Sequence, residues 1–256
     1  MNEVPTELVE VSHWLADPEL DAVILAEGNV SQAASESTFW VKASGFQLGS
    51  IAANGFVLVD ANPILSLFDS NLSDQDVKDA LRSATRVGAP AVPSVETFMH
   101  AWLLSLPGVT TVLHGHPVPL IAIASHPDAP KICANRLFPD EIVCCGPETV
   151  WVPYVDPGLP LAKAIRDATV AYIEKWQDFP RTILLGNHGL ITLGTNLPQA
   201  KAAFQMGVKA GRAWTQALSM GWPNVLSSDS IARIAGRPDE HHRQRLLWAA
   251  AASEQQ

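Results

Sequence analysis

Two apolar runs, 181–185 and 190–193, are separated by Gly186-Asn187-His188-Gly189 alone, a tight turn between a pair of strands. Glycines let a backbone approach a ligand closely, and a histidine set between two of them is unusual core filler. A second phrase, Val112-Leu113-His114-Gly115-His116-Pro117, ends another apolar run. Side chains alternate along a strand, so His114 and His116 leave from one face. Neutral imidazole is a common metal ligand, and three protein ligands with an open position describe a catalytic zinc site. Glu96, eighteen residues before His114, offers a carboxylate that can move a proton beside such an ion. These residues read as a metal-dependent lyase.

The remaining histidines lack that setting. His13, His126, His241 and His242 lie in polar or terminal stretches and are expected to face water. His100 follows Glu96 by one helical turn and shares its face, which suits packing or support behind the metal ligands. Cys133, Cys144 and Cys145 show no Cys-x-x-Cys spacing and read as reduced thiols, chiefly buried small hydrophobes.

At 256 residues the chain can bury a sizeable core. Apolar residues make up 47% and charged residues 17%, which leaves little hydrophilic surface and points to extra burial in an oligomer. A net charge of −9 argues against nucleic acid or an anionic membrane as partner. No apolar run reaches the roughly 18 residues a membrane helix needs, and the N-terminus lacks a signal pattern, so a cytoplasmic location is expected.

Periodicity places a helix over 5–26, ending near Gly28, and strands over 39–43 and 55–60. Ser73-Asp74-Gln75-Asp76 opens a short helix, and Ser94 resembles the N-cap of a helix over 95–106 that Pro107-Gly108 ends. A strand over 109–114 follows. Further on come strand-like 142–145 and 150–154, a helix over 159–176, the strand pair about His188, and a long helix over 197–220. A terminal helix over 231–252 leads into a polar tail. With no repeat, linker or composition break, one α/β domain over 1–256 is expected, its core about 8–220 and a C-terminal helical extension about 221–256.

The chain resembles the class II aldolase/adducin family, which includes fuculose-phosphate and rhamnulose-phosphate aldolases. The resemblance rests on five phrases in order: Gly28-Asn29-Val30-Ser31, Val41-Lys42-Ala43-Ser44-Gly45, Pro93-Ser94-Val95-Glu96-Thr97, His114-Gly115-His116-Pro117 and Asn187-His188-Gly189. It implies a three-layer α/β/α fold with a central, largely antiparallel sheet, and a homotetramer with sites at subunit boundaries. It further implies that His114, His116 and His188 hold a divalent metal, usually zinc, with Mn, Co, Mg or Fe as alternatives. Glu96 would be the acid/base, or a metal ligand when substrate is absent. Gly28, Asn29, Ser44, Gly45 and Ser94 would surround the phosphate of a small sugar phosphate. A neighbouring subunit's tyrosine often completes such sites, and neither Tyr154 nor Tyr172 falls in a matching phrase.

The implied reaction is retro-aldol cleavage of a ketose phosphate, in which a bound dication polarises the carbonyl and stabilises an enediolate. Epimerases, decarboxylases and dehydratases begin the same way. A non-catalytic adducin-like module would be expected to lose the histidines or Glu96, and all four residues are present. Burial raises a carboxylate's pKa and a metal lowers it, which would tune Glu96 toward neutrality. The chain departs from the family at Ala33, where a basic residue is frequent, at Val95, where a second hydroxyl is frequent, and at Glu27, which adds a negative charge. Lys42 is either the cation that compensates or a solvated strand residue.

Overall fold

The computed structural model describes residues 3–70, 72–88 and 91–237. Short β-branched and aromatic runs form eight strands: β1 (Asn29–Ala33), β2 (Thr38–Lys42), β3 (Phe56–Asp60), β4 (Thr85–Val87), β5 (Thr111–Gly115), β6 (Val150–Val152), β7 (Thr182–Leu185) and β8 (Gly189–Gly194). They make one sheet in the order β4-β3-β2-β1-β5-β8-β7-β6. Every neighbouring pair is antiparallel except β6 and β7. A parallel pair needs a long crossover, and α8 (Leu159–Trp176) supplies it.

Alternation along the strands feeds two apolar layers. Phe39, Val41, Val57 and Ile183 pack with Phe98 and Leu103 under α2 (Ala61–Leu65), α3 (Asp74–Ala84), α4 (Thr97–Leu104) and α8. Val30, Trp40, Leu58 and Leu113 pack with Leu8 and Phe204 under α1 (Thr6–Leu15), α5 (Val118–Ala124) and α9 (Leu197–Leu218). This is the expected α/β/α arrangement. At the centre, β5 and β8 are buried along their whole length, which explains their continuous apolar character. A smaller cluster docks α10 (Ser228–Ala235) on α7 (Pro139–Cys145) through Ile231, Ile234, Ile142 and Val143; α6 (Ala129–Cys133) completes the helices.

Several expectations are corrected. The first helix stops at Leu15, because Pro18 cannot continue it, and turns with positive φ at Asp21 and Leu25 lead to β1. Residues 142–145 are helical: Pro139 at the start, Asp140 and Glu141 in the first turn and Gly146 at φ 84° bracket a helix. Ser94 does not cap α4, whose first residue is Thr97 after Glu96. Ser73 does cap α3, in a reciprocal box with Asp76. The expected terminal helix over 231–252 starts earlier, at Ser228, and α10 ends at Ala235 before Gly236; the rest of it lies outside the described residues, as do His241 and His242. Cys133 and Cys145 are buried, and burial pushes both thiols up, Cys133 to about 12, in keeping with their use as small hydrophobes. No helix among the described residues is long and apolar enough to cross a membrane.

Candidate metal centre

The three histidines meet where β5 and β8 end beside β1. His114 is paired across the sheet with Ile191 of β8 and Asn29 of β1. His116 lies one residue past β5, its N–H donating to Ala22 O at 2.6 Å. His188 occupies the β7–β8 turn after Asn187, whose φ of 51° is a left-handed position that asparagine tolerates. The Asn187 N–H donates to Ala124 O at 3.1 Å and its side-chain amide to Ser125 Oγ at 3.2 Å, which holds the turn against α5. Gly189 makes the convergence possible. A Cβ there would stand 2.5 Å from Gly115 O and 2.7 Å from His116 Cδ2, so any side chain would push the turn away from β5.

The ligating atoms of His114, His116 and His188 lie within 4.8 Å of one another. His114 Nδ1 donates to Leu190 O at 3.0 Å, which leaves the Nε2 lone pair facing the centre. The Nε2 atoms of His114 and His116 are 3.2 Å apart. Three convergent imidazoles fit a borderline cation such as zinc or iron better than magnesium, which prefers oxygen donors.

Glu96 closes the group. Its Oε1 lies 3.6 Å from His114 Nε2 and 3.4 Å from His188 Nε2, and its Oε2 accepts from the Asn29 side-chain amide. Burial pushes its carboxyl up, but His114 and His188 outweigh that and hold it well below the usual carboxylate range.

Behind Glu96 the wall is polar and buried. His100 is fully buried, shares a 2.7 Å hydrogen bond with Ser31 Oγ, and is held by burial at about 3, so its ring is neutral. Asn29 Oδ1, Ser94 Oγ, Thr97 Oγ1 and His100 Nε2 are buried without a hydrogen-bond partner. Buried polar atoms of this kind are ordinarily satisfied by a ligand or ordered water.

Lys42 is not a solvated strand residue. It is 2% exposed and donates to Ala26 O and Phe46 O, both at 2.9 Å, tying together the two loops beside the centre. Burial lowers its pKa, and the Glu96 charge opposes that. Ser44 and Gly45 are exposed at the edge, and the Ser44 N–H donates to Val92 O at 2.9 Å, next to Ser94. Gly28, at φ 71°, packs against His114 O. Tyr154 bonds Asp156 at 2.9 Å, and Tyr172 is buried beside Trp176. Sequence reasoning missed Ser31 as the partner of His100. The signal was present, because Ser31 follows Asn29 by two and shares its strand face.

A family model described as the class II aldolase and adducin N-terminal domain matches residues 6–214. The chain is 29% identical over 178 residues to the uncharacterized oxidoreductase YuxG of Bacillus subtilis (strain 168). That match covers 65% of this chain and 23% of the relative, so the chain spans about a quarter of the relative's length. In fold it is similar to an L-fuculose 1-phosphate aldolase, with a TM-score of 0.68, 18% identity, and 91% and 97% of the two chains covered. It is also similar to YgbL of Escherichia coli, for which aldolase, epimerase and decarboxylase activities are all named as candidates (TM-score 0.66, 17% identity, 90% and 96% covered). With matching phrases, fold and a convergent histidine group on one sheet, the chain belongs to the class II aldolase and adducin N-terminal domain family.

Proposed function

We propose that this protein is a divalent-metal-dependent carbon–carbon lyase that cleaves a ketose phosphate into an aldehyde and a dihydroxyacetone-phosphate-like fragment. One observation carries the reading: a Glu96 oxygen sits 3.4–3.6 Å from the ring nitrogens of two of three convergent histidines. When bound, the cation, zinc by preference, supplies a Lewis acid that polarises the substrate's carbonyl and hydroxyl oxygens. Asn29 fixes one Glu96 oxygen and leaves the other to work. Glu96 takes the proton of the substrate hydroxyl as that oxygen becomes the aldehyde carbonyl and the carbon–carbon bond breaks. The protonated carboxyl then returns the proton to the carbon of the remaining fragment.

In this reading Gly28, Asn29, Ser44, Gly45 and Ser94 face the phosphate. The backbone of Gly45, at φ 84° with open space where a side chain would stand, can approach an anion. Lys42 acts through its charge, since its ammonium is bonded to two carbonyls. That commitment favours a second reading, epimerase, decarboxylase or dehydratase chemistry on a substrate without phosphate. Exposed Ile24, Leu25 and Val118, close in sequence to Glu27 and His116, support a homotetramer that covers this edge. Free cysteines, with Cys133 and Cys145 buried, support a cytoplasmic setting.

Metal analysis of protein purified without chelator, followed by a screen of ketoses and their phosphates, tests the proposal. One zinc per chain and aldehyde release from a phosphorylated ketose are expected. Full metal occupancy in His188→Ala would remove the three-histidine site, and turnover of unphosphorylated substrates alone would favour the second reading.

A further inference from the structure

Among the described ion pairs, the histidine group meets two carboxylates, Glu96 on the inner side and Glu27 on the outer side. Glu27 Oε1 stands 3.7 Å from His116 Nδ1, the ring nitrogen opposite the Nε2 that faces His114. The other Glu27 oxygen accepts from the Ile24 N–H at 3.0 Å, and the Glu27 N–H donates to Ile24 O at 3.1 Å. These two bonds close a turn that leaves Oε1 on the His116 side. The turn holds Leu25 at φ 52°, a strained position for a leucine whose side chain is 73% exposed and contributes little packing.

The same loop is fastened at three further points, two of them on the histidine segment and one on β2. His116 N–H donates to Ala22 O at 2.6 Å, Val118 N–H donates to Asp21 O at 3.3 Å, and Lys42 binds Ala26 O. The loop therefore carries Glu27 in a fixed relation to His116. At 3.7 Å the carboxylate is beyond a good hydrogen bond. Its side chain is 39% exposed, and a small rotation closes the gap.

We propose that Glu27 is a positioning residue for the metal centre. With the ion bound, it holds His116 in the Nδ1–H tautomer, with the Nε2 lone pair turned inward, and raises the donor strength of that nitrogen. It would do for His116 what Leu190 O does for His114. A carboxylate behind a ligating histidine typically changes metal affinity by about 10–100-fold. The inference rests on the three-histidine metal site and adds the residue that sets its affinity.

Zinc affinity measured by chelator competition, in wild type and Glu27→Gln, tests it together with ring ¹⁵N shifts of the zinc-loaded protein. Glutamine keeps an acceptor for the Ile24 N–H and removes the charge. The expected result is zinc bound about 10–100-fold more weakly in Glu27→Gln, with the melting temperature of the metal-free protein unchanged. In the zinc-loaded wild type His116 should carry its proton on Nδ1 and leave Nε2 to the metal. Equal zinc affinity in the two proteins, or a wild-type proton on Nε2, overturns the role of Glu27 and leaves the metal site standing. Absence of zinc binding by wild type overturns both.

Discussion

Glu96 and His100 share one face of a single helical turn, yet their surroundings drive them to opposite charge states. Glu96 lies against two imidazoles and stays an anion; His100 is sealed beneath it and stays neutral. Replacing Glu96 by glutamine keeps shape and the Asn29 contact while removing the proton carrier. Turnover is expected to fall about 10²–10⁴-fold with metal content intact, by steady-state kinetics and metal analysis. Loss of the metal instead would make Glu96 chiefly a ligand. His100 leaves a signature in stability. Its ring titrates near 6.5 when unfolded and at about 3 when folded, so between those values the unfolded chain binds more protons. Stability of the chelated protein should thus be complete above pH 6.5 and decline as pH falls toward about 3, by about 1.4 kcal/mol per pH unit. His116, held by burial at about 4, adds in the same sense, so His100→Gln should lose about one proton's worth of slope rather than all of it. Urea titrations at several pH values measure this, and an unchanged slope would place the proton uptake elsewhere.

Helices α8 and α9 and the strand pair about His188 were legible because each carries a long or sharply punctuated pattern. The histidine cluster was legible for a related reason: His114, His116 and His188 stand at strand ends, where a two-residue period and flanking glycines declare themselves. Ile142 to Cys145 was not, since four apolar residues fit a buried strand or one helical turn equally, and Pro139 with Gly146 decides it from outside the run. Nor was the environment of Lys42, because burial on β2 depends on two loops, around Ala26 and Phe46, that pattern reading cannot fold. The β7–β8 turn tests how tightly these elements define the centre. Gly189→Ala adds one methyl 2.5 Å from Gly115 O, and the backbone there has nowhere to yield. A loss of about 1–3 kcal/mol by thermal or denaturant unfolding is expected, together with weaker zinc binding as His188 moves off. Unaltered stability would mean that the turn relaxes freely.

Over the whole molecule, the sheet order sets β1, β5 and β8 side by side and so gathers residues from three distant stretches of chain. Helix layers on both faces bury that junction. The pairing of β5 with β8 has a kinetic consequence. An ion whose donors come from the two sides of that pairing finds its full set after the strands have docked, past the main barrier to folding. Zinc at about 100 times its dissociation constant stabilises the native state by roughly 2.7 kcal/mol. Nearly all of that should appear as unfolding slowed about 100-fold, with the refolding rate unmoved. Stopped-flow unfolding and refolding with and without zinc resolve the two limbs, and faster refolding would mean that the donors assemble early. With the refolding limb flat, the metal is a clasp on the finished sheet rather than a seed for it.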